Sequence, residues 1–77
     1  MGMSDVSHIN GRNQALRIDD QTSTMYIGTA PTNSATASAI WSIKRLTFTG
    51  GLTTIEWADG NDLNDNVWDN RASLSYS

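Results

Sequence analysis

The stretch Ile40–Ala58, IWSIKRLTFTGGLTTIEWA, constrains this chain more than any other. Placing Gly50-Gly51 at a two-residue turn pairs Thr49 with Leu52, Phe48 with Thr53 and Thr47 with Thr54. Further out, Leu46 meets Ile55, Arg45 meets Glu56 and Lys44 meets Trp57. Because strand side chains alternate, one face then carries Lys44, Leu46, Phe48, Thr53, Ile55 and Trp57. The other carries Arg45, Thr47, Thr49, Leu52, Thr54 and Glu56. The glycines suit a turn that needs positive φ, and the Arg45–Glu56 pair puts opposite charges across from each other. Both features select the same register. The expectation is a β-hairpin with Leu46, Phe48, Ile55 and Trp57 turned into the core and the Arg45–Glu56 face in water.

The rest of the chain reads as short strands and turns. Ala15–Ile18 is a short strand followed by an Asp19-Asp20-Gln21 turn. Thr22–Ala30 is a better strand, with Met25 and Ile27 on one face and Thr24, Tyr26 and Gly28 on the other. Gly28 marks a bulge or the close approach of another backbone, and Pro31 ends the strand. Thr32–Ala39 is small, polar and aperiodic, which suits a loop better than a helical turn. In Ile40–Thr49 the inward parity changes, because Trp41 and Ile43 are odd-numbered while Leu46 and Phe48 are even. Either a bulge near Lys44 re-aims the strand or its first half is buried on both sides. After Ala58, an Asp/Asn-rich loop leads to an irregular helical turn from about 65 to 71, capped by Asp65 or Asn66. Leu63, Val67 and Trp68 then plug the end of the sheet. Ala72–Tyr76 alternates as an edge strand. The fold class is all-β: a small antiparallel sheet, sandwich or barrel-like domain over 15–77 with a central hairpin. Residues 1–14 form an N-terminal arm, flexible alone or ordered on a neighbour.

Size adds a second constraint. Seventy-seven residues make one small domain, poor in large apolar side chains and rich in Ser, Thr and Asn. There is no cysteine and one histidine, so neither a disulfide nor a multi-histidine metal site strengthens it. The common remedy is burial against other copies or another protein. With five basic and eight acidic residues and a formal charge of −3, nucleic acid is not the expected partner. No run of apolar residues is long enough to span a bilayer, and the N-terminus lacks a signal-peptide core. Synthesis in a cytoplasm, with no membrane partner, is the expectation.

Chemistry-bearing patterns are few. Asp62-x-Asn64-x-Asn66 imitates the start of an EF-hand loop, but Val67 stands where the turn glycine belongs and Ser73 where the bidentate glutamate belongs. Asx turns account for the same residues. Asp59, Asp62, Asn64 and Asp65 are therefore only weak metal candidates, and no cofactor is expected. Glu56 already has Arg45 as partner, the loop aspartates lack an apolar pocket, and His8 lies in the arm. No acid–base pair or nucleophilic triad follows, and the chain reads as a non-enzyme. Trp57 and Trp68 suit a core, whereas Trp41 is the expected interface aromatic. With it, Ile43, Met25, Tyr26, Leu74 and Tyr76 are the expected contacts between subunits.

The motifs IWSIKRLTFTGG, IEWADGN and DNVWDNRASLSY carry a further signal. Through them, Ile40–Tyr76 resembles small proteins encoded by tailed bacteriophages, whereas residues 1–39 carry almost no likeness. The resemblance implies a virion structural component, such as a capsid decoration, tail or fibre-attachment protein, and transfers no catalytic role. The expected partners are other virion proteins and the chain itself, as a trimer or higher oligomer. A calcium- or carbohydrate-binding adhesion module using the 59–69 loop is the alternative, and a phage-encoded inhibitor of a host enzyme a third.

Overall fold

The computed structural model describes residues 14–77. The arm assigned to 1–14, and His8 within it, lie outside the described residues except for Gln14, which opens the first strand. Four strands run as an antiparallel meander: β1 (Gln14–Asp20), β2 (Thr24–Pro31), β3 (Ala39–Thr49) and β4 (Leu52–Trp57). A two-residue strand, β5 (Asn66–Val67), pairs with the start of β3, and a 3-10 helix covers Trp68–Ser73. The domain is all-β, as expected.

The β3–β4 register runs from Lys44↔Trp57 to Thr49↔Leu52. It matches the pairing derived from the sequence at every position. Gly50 and Gly51 take φ of 56° and 82°, the doubly positive turn that suits the right-handed twist of flanking strands. The β2–β3 register continues without interruption past Lys44. The bulge proposed there is absent; the one irregularity of β3 lies between Ala39 and Trp41, against β5. Trp41, Ser42 and Ile43 are consecutive buried residues, so the first half of β3 is enclosed on both sides.

Which face is inside differs from expectation. The core consists of Tyr26, Ala30, Trp41, Ile43, Ala58 and Trp68. It lies on the odd-numbered side of β3, the side that carries Arg45 and Glu56. Trp68 drops from the 3-10 helix onto this side, and the C-terminal tail follows it. Among the described residues, nothing covers the Leu46, Phe48, Ile55, Trp57 side in this way, and none of those four belongs to the core cluster.

The tail corrects a second expectation. Residues 72 and 73 finish the 3-10 helix, and Tyr76 forms only an isolated bridge to Ala58. Backbone hydrogen bonds from Trp57 to Ser77, from Ser77 to Trp57 and from Asp59 to Ser75 fasten the chain end beside the exit of β4. Ala72–Tyr76 is therefore not an edge strand left for another chain; its pairing is internal.

Candidate functional site

The covered face is built around a glycine. In β2, Gly28 stands opposite Arg17 and Ile43, and a Cβ placed on it meets Trp68 Cε3 at 2.6 Å and Trp41 Cε3 at 3.2 Å. Neither bulge nor backbone contact explains this glycine; the Trp68 ring occupies the space a side chain would need. Trp68 and Trp41 then pack at 5.9 Å between centroids, tilted by 40°. The Trp41 indole N–H donates to the Ala35 carbonyl at 3.0 Å, which satisfies the one polar atom of a fully buried ring. The Arg71 guanidinium lies over Trp68 at 4.6 Å and donates to Asp19 on β1 at 2.9 Å. Those hydrogen bonds, from Arg71 and then Gln21, hold the Asp19 carboxyl below the usual carboxylate range.

One row along, Asp19, Tyr26, Arg45 and Glu56 lie across the four strands. Arg45 donates to Glu56 at 2.6 Å and stacks under the Tyr76 ring at 4.6 Å. The charge pair expected on a wet face is thus half-buried beneath the C-terminal tail. Tyr76 donates to the Arg71 carbonyl at 2.8 Å, and burial pushes its phenol up from 10.0 to about 12.

The opposite face has a different character. Its rows read Ile18–Ile27–Lys44–Trp57 and Asp20–Met25–Leu46–Ile55, flanked by Leu16 on one side and by Phe48 opposite Thr53 on the other. Ile18 and Ile55 are 57% and 54% exposed. The Met25, Ile27, Leu46, Phe48 and Trp57 side chains are only half-buried, shielded by neighbours in the same sheet. Lys44 lies over the Trp57 ring at 5.4 Å, so its stem adds to the apolar surface while its ammonium reaches toward the β4 edge.

Of the six residues expected at subunit contacts, only Met25 lies on this face. Trp41 and Ile43 are fully enclosed, and Tyr26 is 8% exposed. Leu74 and Tyr76 pack against the core from the tail. These five serve the interior because the 3-10 helix and tail cover their face. The signal that identifies the inner face is the even-numbered Tyr26, Gly28, Ala30 series of β2. Its glycine admits the Trp68 indole into the space that a side chain would need.

The acidic loop behaves as a set of Asx turns. Asp59 takes φ of 60°, the Asn61 carboxamide oxygen accepts from the Leu63 N–H, and Asn61 donates to the Asp59 carbonyl. Asn64 bridges β2 and β3 by donating to the Thr29 and Ile40 carbonyls, and Asn66 donates to the Asp65 carboxylate. Among the described residues, no group of three or more His, Cys, Asp or Glu side chains is placed to hold a metal ion. The 3-10 helix starts at Trp68 after Val67, without a side-chain cap from Asp65 or Asn66, and Leu63 is 58% exposed instead of plugging the sheet.

No protein family, curated protein or solved structure matches the chain.

Proposed function

We propose that this chain is a bacteriophage virion structural protein, of the capsid decoration, tail or fibre-attachment kind, which works by self-assembly and docking and without catalysis. One observation carries the reading: among the described residues, a four-stranded sheet keeps an apolar face with no second layer over it. Sheets with one oily face are normally stable only when that face is covered, and contiguous apolar patches beyond a few hundred Å² mark interaction sites. The likeness of Ile40–Tyr76 to small phage-encoded proteins supplies the virion setting. The carboxylates fit a structural part as well, since Asp19 and Glu56 are engaged in ion pairs within the fold.

Light scattering on the purified chain, coupled to size exclusion, tests this reading. A mass of at least two chains is expected in the micromolar range. A single-chain mass at every concentration overturns it.

A further inference from the structure

We propose that the bare sheet face is the contact between two copies of this chain, packed face to face as a two-layer β-sandwich. This rests on the assembly reading and names the surface and the partner. The first argument is area. Four strands spaced about 4.8 Å apart, with apolar rows about 6.8 Å apart along them, project on the order of 400 Å² of flat surface. Covering it on both copies removes about 800 Å² in all, below the ~1,200–2,000 Å² of a standard interface and in the range of weak ones. The area therefore suits a weak dimer, and the choice of a second copy as occupant rests on how the face matches itself.

The second argument is self-complementarity. A two-fold axis parallel to the strands and midway between β2 and β3 lays β1 of one copy over β4 of the other and β2 over β3. Ile18 then faces the second copy's Trp57, and Met25 faces its Leu46. The face carries two charges: Lys44 in β3 and Asp20 at the end of β1. Lys44 leans toward β4 over Trp57, so its ammonium points to the edge where the second copy brings its Asp20. Each copy supplies both halves of the pair, as an isologous contact requires. A sheet packed on its own copy also needs no further layer, because the two apolar faces cover each other at the ~10 Å spacing of stacked sheets.

The test uses positions already exposed in a single chain, so that folding is not at stake. Ile18→Lys and Ile55→Lys replace side chains more than half exposed on the bare face, and Leu52→Lys replaces a 66% exposed one that points to the opposite side. Sedimentation equilibrium is run on the full chain from about 1 to about 100 μM, spanning the affinities such an interface supports. Intrinsic tryptophan fluorescence checks that the Trp41–Trp68 core is intact. Each bare-face lysine is expected to weaken association at least ~tenfold, with Leu52→Lys unchanged. Lys44→Glu is expected to weaken association and addition of Asp20→Lys to restore it. Association that survives both lysines, falls equally with Leu52→Lys, or is not restored by the charge exchange overturns the proposal and leaves the assembly reading standing. A monomeric chain overturns both. Should deleting residues 1–13 convert a monomer into a dimer, the chain's own N-terminal segment is the occupant and the two-copy proposal fails.

Discussion

Both faces of the one sheet carry apolar side chains, yet among the described residues only one is covered. On the covered face the large rings come from two places far apart in sequence: Trp41 from β3 and Trp68 from the 3-10 helix, meeting over Gly28. Charges are admitted there because rings and hydrogen bonds receive them, Arg45 under Tyr76 and Arg71 over Trp68. On the bare face the apolar side chains are aliphatic or singly aromatic and shield one another only sideways. The difference teaches that patterning alone does not make a core. A face becomes an interior when another segment has the shape to cover it, and here a cavity left by a missing Cβ provides that shape.

The sharpest way to break the comparison is to remove one large side chain from each side. Trp68→Ala is expected to destabilise the fold by about 3–5 kcal/mol, since it empties the centre of the core. Ile55→Ala, measured by denaturant unfolding in dilute solution where the chain is monomeric, is expected to change stability by no more than about 0.5 kcal/mol. Equal losses would mean that the bare face is closed within one chain. Gly28→Ala adds a single methyl where no space exists and is expected to destabilise by about 1–3 kcal/mol. In a double-mutant cycle, its effect should shrink when Trp68 is replaced by the smaller Leu. Additivity there would show that the ring and the glycine are not coupled.

Two smaller effects sharpen the covered face. Tyr76→Phe removes the hydrogen bond to the Arg71 carbonyl and is expected to lose about 1 kcal/mol. With the Tyr76 phenol raised from 10.0 to about 12, its neutral form is favoured by the fold. That stability is fully present below pH 10 and is lost as pH rises toward 12, so an alkaline melting series should fall less steeply for Tyr76→Phe. Asp19 has the opposite sign. Its lowered value means a contribution present above the ordinary carboxylate range and lost as pH falls through it. Arg71→Gln should lower the pH 7 melting temperature slightly, as expected for a partly exposed ion pair, and flatten the acid limb below about pH 4, so that the two proteins converge in acid. An unaltered acid limb would show that the pair is not linked to folding.

Much of this architecture was legible in the residues. The hairpin register, the Gly50-Gly51 turn, the Arg45–Glu56 pairing and the helical turn at Trp68 follow from alternation, turn chemistry and spacing. Tyr26 and Met25 were placed correctly on opposite faces of their strand. The surface that matters most was read in reverse. Hairpin composition points Leu46, Phe48, Ile55 and Trp57 to the interior, as its oilier side, and Trp41 and Ile43, which oppose them, to subunit contacts. Composition of a two-stranded unit ranks its faces by hydrophobicity, but burial depends on the third strand and on what lies over it. The Asn-rich loop, by contrast, was readable as turns because Asx bonding is local and reaches only two residues along the chain.

Local chemistry was therefore enough to set strand pairing, since a period of two and a glycine turn admit one register and every slip would exchange the faces. It could not choose between those faces. That choice came from a contact between residues 28, 41 and 68, where a ring carried on a 3-10 helix fills the space over a glycine. Long-range shape complementarity of this kind leaves no periodic trace in a sequence.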